Sequence, residues 1–302
     1  MSGDPRPIVT DGLAKRYGRV QALAPLDLVV DDGSVVGYLG PNGAGKSTTI
    51  NLLMGYINPT GGAAWLRGHP AGSREARRGL SYIPPHSAYW PQLTGGETLH
   101  FLARLAGGDD PAERRRLTAA FEFDPGKKVG AYSTGNLQKL AIIAALATRP
   151  RLLLCDEPST GLDPVMGAVF REEVKRLRGE GAAVLLSSHT MEEVEAVCDR
   201  VLIINHGVIV DDGTIADLKH LRAARVTIRF AGPRPDLAAV AGVTLVDAAE
   251  DRVVLDVAGS QSGLFAAFGA AAIESVETKT PSLEEVFLSY YDDRVDAANG
   301  RT

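Results

Sequence analysis

The apolar and polar positions in the first part of the chain predict strands, followed by helices. Apolar and polar residues alternate within Pro7–Asp32, a pattern typical of antiparallel strands joined by a turn. Ser34–Leu39 is a compact apolar run that predicts a buried strand, and Lys46–Met54 has the pattern of a helix. Gly55 marks the end of that helix, because glycine is favoured directly after a helix. Two further helices are predicted at Glu97–Leu105 and Pro111–Phe121.

Helices and strands alternate from Ser133 onward. The predicted helices are Leu137–Ala147, Val165–Arg178 and Glu192–Ala196. The predicted strands are Leu152–Cys155, Ala182–Ser187 and Arg200–Asn205. Such alternation implies a mainly parallel sheet with helices on both faces, so we expect the α/β fold class.

Beyond about Leu221 the pattern changes to shorter elements. The predicted strands are Val226–Phe230, Val243–Val246, Arg252–Val257 and Ile273–Thr278. The predicted helices lie near Asp236–Ala241, Leu264–Ala271 and Ser282–Tyr290. The order resembles a split βαβ unit. We therefore predict one domain at residues 7–220, a small α+β domain at residues 223–291 and a disordered tail at residues 292–302.

Composition narrows the class of protein. The net charge of −5 argues against a dedicated nucleic-acid binder, which usually carries a basic excess. Two cysteines, Cys155 and Cys198, cannot form a disulfide framework, which fits a reducing cytosol. The first residues lack the apolar stretch of a signal peptide, and no run approaches the roughly 18–20 apolar residues that cross a bilayer. We expect a soluble chain.

A glycine-rich loop follows the first buried strand. Gly40-Pro41-Asn42-Gly43-Ala44-Gly45-Lys46-Ser47 matches the phosphate-binding pattern G-x-x-x-x-G-K-[ST]. Glycines let backbone N–H groups approach a phosphate, and the helix that follows directs its positive end at the same anion. Lys46 supplies positive charge for the terminal phosphates and Ser47 a hydroxyl for magnesium. The alternative is a glycine turn that opens an ordinary helix, but the position between strand and helix favours phosphate.

Two carboxylates follow a second apolar strand. Asp156 and Glu157 come directly after Leu152–Cys155, at the carboxyl end where doubly wound sheets bind ligands. An acid there can hold magnesium, and a second acid can polarise an attacking water. A strand followed by an acid is common in proteins without this chemistry, so the interpretation depends on the phosphate loop.

Four further motifs carry a family resemblance. Tyr132–Asn136 with Leu137-Gln138-Lys139 resembles the signature motif of ATP-binding cassette (ABC) proteins, and Asp156–Asp163 resembles their acidic Walker motif with the D-loop. Ser187–His189 is similar to the H-loop, and Lys15–Gly18 to the aromatic loop that stacks on adenine. The matches follow the family's order and span residues 7–220. The resemblance implies a P-loop NTPase fold with an N-terminal antiparallel β subdomain, a helical subdomain and head-to-tail dimers.

The same resemblance implies ATP and Mg²⁺ as cofactors and assigns their ligands. Hydrolysis is expected to depend on Lys46, Glu157 and His189, and magnesium binding on Ser47 and Asp156. Contacts to ATP are expected from Tyr17, Gly40, Pro41, Asn42, Gly43, Ala44, Gly45, Lys46, Ser47, Thr48, Ser133, Gly135 and Asp163. Ser133 and Gly135 would close over ATP held by the other subunit of the dimer.

Structural interpretations stand beside several of these assignments. Tyr17 taken alone fits a half-buried strand tyrosine, and His189 alone fits a structural histidine. Ser133 also fits an N-cap, and Asp163 fits a cap for a helix that begins at Pro164. The capping role and the ATP role of Ser133 are compatible, because a helix N-terminus is also an anion site.

The chain departs from the family's pattern at two places. The family usually has glutamine after the strand that corresponds to Tyr82-Ile83-Pro84, whereas this chain has Pro85 followed by His86. Proline offers no side-chain hydrogen bond, so the usual link between magnesium, attacking water and the transmembrane partner is lost there. In the signature, Thr134 and Asn136 replace glycine and glutamine. Hydrolysis is still expected, at a slow or partner-dependent rate.

The resemblance implies the ATP-hydrolysing subunit of an ABC-type membrane transporter. Its partners would be a separate transmembrane permease and a second copy or paralogous cassette, at the cytoplasmic face of the membrane. The tail Pro281–Leu288 resembles that of drug- and antibiotic-exporting ATPases, which favours export over import. The alternatives are a soluble ABC ATPase acting on ribosomes or nucleic acid, and a regulatory cassette with little activity. A single phosphate loop, no sustained heptads and the slightly acidic charge speak against the first.

Overall fold

The computed structural model describes residues 4–220, 224–232, 240, 242–249, 251–257, 262–267 and 272–279. The chain divides into two compact units, Met1–Asp212 and Gly213–Thr302. Each unit is described by itself below. The domain limits expected from the sequence, at residues 7–220 and 223–291, stay a prediction.

The strands of the described ranges are numbered along the chain. They are β1 (Ile8–Tyr17), β2 (Val20–Leu26), β3 (Val29–Val30), β4 (Val35–Leu39), β5 (Gly61–Leu66), β6 (His69–Pro70), β7 (Leu80–Ile83), β8 (Leu152–Asp156), β9 (Ala183–Ser188), β10 (Arg200–Asn205), β11 (Val208–Thr214), β12 (Ala224–Phe230), β13 (Val243–Ala248), β14 (Arg252–Val257) and β15 (Ile273–Lys279).

The α-helices of the same ranges are numbered likewise. They are α1 (Lys46–Leu53), α2 (Gly95–Leu105), α3 (Pro111–Ala120), α4 (Thr134–Leu146), α5 (Pro164–Gly179), α6 (Met191–Val197), α7 (Ile215–His220) and α8 (Ser262–Ala267). A short 3₁₀ helix covers Val129–Ala131.

An antiparallel sheet at the start of the chain has the order β2-β1-β5-β6, and β3 also pairs with β1. The hairpin of β1 and β2 turns at residues 18–19, where Tyr17 pairs with Val20. The antiparallel strands predicted within Pro7–Asp32 are therefore confirmed. Strands β5 and β6 were not among the sequence-based predictions, because Gly61–Leu66 carries two glycines and two alanines and so lacks a strong apolar alternation.

The second sheet of the first unit has the order β11-β10-β4-β9-β8-β7. The pairs from β10 across to β7 are parallel, as the alternation of helices and strands predicts. Every residue of β4, β8 and β9 is buried. These strands read as unbroken apolar runs because helices cover a parallel sheet on both faces. The carboxyl ends of β4, β9 and β8 consequently lie side by side.

Two helices begin earlier than predicted because side chains cap their first turns. Helix α4 begins at Thr134 rather than Leu137, because the Ser133 hydroxyl accepts the N–H of Asn136 and so caps the first turn. Helix α2 begins at Gly95 rather than Glu97, behind a capping box formed by Thr94 and Glu97. The apolar periodicity alone starts each helix too late, since polar residues fill the first turn.

The second unit contains a four-stranded sheet in the order β13-β14-β12-β15, with antiparallel pairs throughout. Numbered within the unit, this order is 2-3-1-4, which agrees with the predicted split βαβ arrangement. Its buried core contains Val226, Ile228, Phe230, Val253, Leu255, Val257 and Leu264. The predicted helix Ser282–Tyr290 lies outside the described residues, as does Asp236–Ala241 apart from Val240.

Candidate functional site

The phosphate loop lies between the end of β4 and the start of α1. Gly45 is the residue before the helix, with φ of +114°, a conformation that residues with a Cβ rarely adopt. A Cβ on Gly45 would also lie 2.6 Å from the carbonyl oxygen of Ala22. The loop is also held on this side by the N–H of Gly207, which donates to the carbonyl of Ala44 at 2.8 Å. Glycine is therefore required here both by conformation and by space.

Lys46 is buried, with only 4% of its surface exposed. Its ammonium group donates to the carbonyl oxygens of Gly40 at 2.6 Å and Pro41 at 3.1 Å. The same Nζ lies 3.3 Å from Oε1 of Glu157. A buried ammonium needs such partners, since an unpaired buried charge is costly. The loop thus holds a positive charge at the start of α1, where the helix N-terminus also favours an anion.

Asp156 and Glu157 leave the carboxyl end of β8 in different environments. Asp156 is 2% exposed and accepts a hydrogen bond of 2.7 Å from the Ser187 hydroxyl on β9. The same hydroxyl lies 3.0 Å from the N–H of Glu157. Glu157 has φ of +49°, in the left-handed region. Such a conformation costs free energy in a residue with a Cβ and is concentrated at functional sites.

His189 completes a group of three side chains. Its Nδ1 lies 3.2 Å from Oε2 of Glu157, whereas Lys46 contacts the other carboxylate oxygen, Oε1. The structure therefore brings the three residues expected to take part in hydrolysis into direct contact. A cavity of about 280 Å³ opens beside Glu157 and His189.

Asp156 and Ser47 are the side chains expected to hold magnesium. In the part of the chain that the structure describes, no group of three or more His, Cys, Asp or Glu side chains could hold a metal by itself. Mg²⁺ is commonly bound by one or two carboxylates together with waters and substrate phosphates. Buried Asp156 and exposed Ser47 at the start of α1 fit that mode of binding.

Tyr17 lies apart from this group, at the tip of the β1–β2 hairpin. Its side chain is 51% exposed, and the ammonium of Lys15 lies 5.1 Å from the centre of its ring. Lys15 is fixed in turn by a 2.6 Å hydrogen bond from Nζ to the carbonyl of Asn58. Tyr17 is thus about half exposed at the end of a strand, which fits the structural interpretation, and its exposed aromatic face is also available for stacking on adenine, which stays a prediction.

The predicted signature and D-loop residues lie at two helix starts. Ser133 caps α4, and Asp163 caps α5 by accepting the N–H groups of Val165 and Met166 at 3.0 and 2.9 Å. Gly135 packs against the D-loop so closely that a Cβ would lie 2.7 Å from the carbonyl oxygen of Gly161. The capping roles weighed in the sequence analysis are thus both present, and contact with ATP stays a prediction.

Two buried polar residues beside the site were not singled out from the sequence. Gln138 of α4 donates from Nε2 to the carbonyls of Pro158 at 2.9 Å and Pro84 at 3.3 Å. Glu193 of α6 accepts from the hydroxyls of Ser188, at 2.7 Å, and Ser159. Gln138 lies in the quoted signature segment and Glu193 one helical turn after His189, but their burial depends on packing that no local pattern reports.

The fold and the site together define a class of protein. A phosphate loop follows one strand of a parallel sheet, two acids follow another, and an antiparallel sheet and three helices (α2, α3, α4) surround them. These are the parts of a P-loop nucleotide hydrolase of the cassette type.

Comparison with known proteins identifies the family. The sequence profile described as "ABC transporter" matches residues 23–160. The chain is 36% identical over 304 residues to the daunorubicin resistance ATP-binding protein DrrA3 of Streptomyces coeruleorubidus, covering 93% of this chain and 94% of the relative. It is 38% identical over 221 residues to the daunorubicin/doxorubicin resistance protein DrrA of Streptomyces peucetius, covering 71% and 67%. The chain belongs to the ATP-binding proteins of ABC transporters.

Solved structures agree with this assignment. An ATP-binding subunit of an ABC transporter superposes with a TM-score of 0.65 at 32% identity, covering 70% of this chain and 91% of that one. An ATP-binding cassette in a dimeric post-hydrolysis state with ADP and Pi has a TM-score of 0.62 at 22% identity, covering 68% and 98%. The predicted P-loop NTPase fold is confirmed, and the protein is the ATPase subunit of an ABC transporter.

Proposed function

We propose that this ATPase subunit binds ATP with Mg²⁺, dimerises on the nucleotide and drives a separate membrane-spanning partner that exports its cargo. The observation that carries the proposal is the contact of Glu157, after β8, with both Lys46, after β4, and His189, after β9. In this proposal the chain lies at the cytoplasmic face of the membrane, held there by the permease.

Each of the three residues has a distinct role in hydrolysis. Glu157 is the general base, because a carboxylate between two nitrogen donors is held in one orientation toward an attacking water. Lys46 neutralises charge on the terminal phosphates. His189 orients the Glu157 carboxylate and can donate to the γ-phosphate, since imidazole carries a hydrogen-bonding nitrogen in either protonation state.

Ser47 and Asp156 would hold Mg²⁺ together with the phosphates. The ion supplies neutralisation of the charge that develops on the β- and γ-phosphate oxygens. Asp156 is suited to this task because the Ser187 hydroxyl already fixes one of its oxygens. The exposed ring of Tyr17 would cover the adenine.

The proposed dimer rests on surfaces near the two helix starts. Ser133, Thr134, Gly161 and Asp163 are all exposed in this chain, although they adjoin the buried core. Val165 at the start of α5 is also 66% exposed, which is unusual for valine. A second cassette that packs here would bring the ATP in its phosphate loop against the signature motif of this chain. It would also cover Val165.

Export and the separate permease are supported by the relatives. DrrA3 and DrrA are described as daunorubicin and daunorubicin/doxorubicin resistance proteins, and resistance of this kind fits removal of a drug from the cell. Within the described ranges, no helix has the length and apolarity to span a bilayer. We propose an amphipathic or apolar small molecule as the class of cargo, carried by the permease.

The test uses Glu157→Gln, which keeps shape and hydrogen bonding while it removes the base. We expect this variant to bind ATP and Mg²⁺, to lose hydrolysis and to accumulate as a dimer in light scattering, because hydrolysis normally reopens the closed state. Lys46→Ala is the control that should remain monomeric. Wild-type turnover by Glu157→Gln would remove the base assignment. If the wild-type protein hydrolyses ATP no faster than Glu157→Gln, both as the isolated subunit and together with the permease, the regulatory cassette with little activity is favoured.

A further inference from the structure

Gln138 occupies an unusual place between two loops of the site. It lies on α4, five residues after the cap Ser133, and is only 2% exposed. A buried primary amide is costly unless its donors are used. Here Nε2 donates to two backbone carbonyls, those of Pro158 and Pro84. The helix that carries the signature is thereby joined to the segments after β8 and after β7.

Both acceptors belong to segments that are poor in hydrogen-bond donors. Pro158 follows Glu157 directly, and Pro84 precedes Pro85, so these residues have no backbone N–H of their own. The carbonyls of buried Pro158 and of partly buried Pro84 are satisfied by a donor from elsewhere in the molecule. Gln138 is that donor, from a helix that packs against β7.

The Pro158 contact acts on Glu157 itself. On its amino side, the N–H of Glu157 is held by Ser187, through Oγ at 3.0 Å and the carbonyl oxygen at 3.2 Å. On its carboxyl side, the next carbonyl is held by Gln138 at 2.9 Å. These two contacts bracket a residue whose φ is +49°. This conformation carries a cost in free energy, and contacts on both sides of Glu157 help to hold it.

We propose that Gln138 is a positioning residue for hydrolysis, which sets Glu157 and the Pro84–Pro85 segment at a fixed separation from the signature helix. The inference rests on the proposed role of Glu157 as the base. A movement of α4 is then transmitted to both loops at once, because a single amide nitrogen joins them.

The test compares Gln138→Met with Ser81→Ala. Methionine has the length and flexibility of glutamine and suits a helix, but it carries no donor. The control removes the 2.9 Å hydrogen bond between Ser81 and Thr148, which also ties β7 to the far end of α4 but reaches neither loop. We expect Gln138→Met to lower kcat by about 10- to 100-fold, as small displacements of a reacting group do. KM for ATP and the Kd for ADP should stay within about twofold, since the phosphate loop is untouched.

Gln138→Asn serves if the methionine variant does not fold, because its amide is one methylene too short to reach both carbonyls. It should show the same loss of kcat with unchanged KM. A merely structural role would lower the thermal midpoint of either variant and leave kcat near the wild-type value, as expected for Ser81→Ala. That result, or an equal loss in kcat and in ADP affinity, would overturn the inference. Glu157→Gln assayed in parallel separates the cases, since its failure to lose activity would overturn the proposed function instead.

Discussion

Lys46 and Glu157 approach to 3.3 Å between Nζ and Oε1, although one follows β4 and the other follows β8. The ammonium is also hydrogen-bonded to two carbonyls of the phosphate loop. A phosphate that binds to Lys46 must compete with Glu157 for the same charge. We therefore expect nucleotide binding to loosen the contact between Lys46 and Glu157 and to leave the carboxylate held by His189.

Replacement of Lys46 by alanine should weaken ATP binding by about 10- to 100-fold, because one charged hydrogen-bond partner contributes about 1.5–3 kcal/mol. Titration calorimetry with ATP and Mg²⁺ measures the change. Lys175→Ala is a suitable control, since Lys175 forms an exposed pair with Glu172 on α5. ATP affinity within twofold of the wild type in Lys46→Ala would contradict the assignment of the phosphate loop.

The exposed ring of Tyr17 gives a second prediction. Stacking of a base on an aromatic ring contributes about 1–3 kcal/mol, so Tyr17→Ala should weaken ATP binding by about 5- to 150-fold, and Tyr17→Phe should not. Affinity for inorganic triphosphate, which has no base, should stay the same in both variants. Tyr56→Ala removes a similarly exposed tyrosine, 59% exposed, and serves as the control. Equal losses of affinity for ATP and for triphosphate would show that Tyr17 supports the phosphate-binding region and does not stack on the adenine.

The site could be predicted from the sequence where its signal is local. The phosphate loop and the pair Asp156-Glu157 each follow an apolar run, and the run itself fixes the end of a buried strand. Gln138 and Glu193 could not be found in this way. Their importance arises from burial between segments that are distant along the chain, and a polar residue on a helix is usually exposed.

Strands β5 and β6 were missed for a related reason. Strand β5 pairs with β1, which is remote in sequence, and β6 pairs with β5 across a two-residue turn, so both strands depend on the β1 pairing. The start of α4 differs from the prediction because Ser133 caps the helix at Thr134, whereas the apolar periodicity begins only at Leu137. In both cases a contact outside the periodic pattern decided the structure.

A network of charges joins α3 of the helical subdomain to α5. Arg116 contacts both Glu113 and Glu173, and Arg176 contacts the same two carboxylates. Hydrogen bonds from Arg116 lower the pKa of the Glu113 carboxyl from its ordinary value of 4.5. Burial alone would raise the pKa of Glu173, but hydrogen bonds from Arg116 and Arg176 outweigh it and lower that pKa as well.

Stability should consequently fall in acid. Because the folded-state pKa of Glu113 lies below 4.5, the unfolded chain takes up a proton first as the pH drops. The contribution is complete above pH 4.5 and is lost as the pH falls through the lowered pKa. At pH 7, Glu113→Gln should lower the free energy of unfolding by about 1–3 kcal/mol, since it breaks charged hydrogen bonds of a buried group. The variant should also lose less of its stability in acid than the wild type.

Urea unfolding at pH 7 and pH 3.5 measures both effects, followed by tryptophan fluorescence because Trp65 and Trp90 both lie in the first unit. Glu172→Gln disrupts an exposed pair on α5 and should leave the unfolding curve nearly unchanged. An acid response identical in Glu113→Gln and in the wild type would mean that other carboxylates cause the acid sensitivity.

Pro85 provides the last prediction, because it stands where the family usually has glutamine. Pro85 follows the carbonyl that Gln138 holds, directly after β7, which pairs with the strand that carries Asp156. Glutamine there would supply an amide oxygen able to accept from water and to reach a magnesium ion. We expect Pro85→Gln to raise the basal ATPase rate of the isolated subunit by at least about twofold.

Two effects act against that gain. Replacement of proline frees φ at position 85 and adds about 0.4–1 kcal/mol of chain entropy to be lost on ordering, so the loop can move away from the nucleotide. Exposed His86 is the rival, since a ring nitrogen there could already hold the attacking water. ATPase rates of Pro85→Gln and His86→Ala, measured side by side, decide between the two. If Pro85→Gln leaves the ATPase rate unchanged and His86→Ala lowers it strongly, no group is missing from the site, and His86 takes the role that glutamine has in the family.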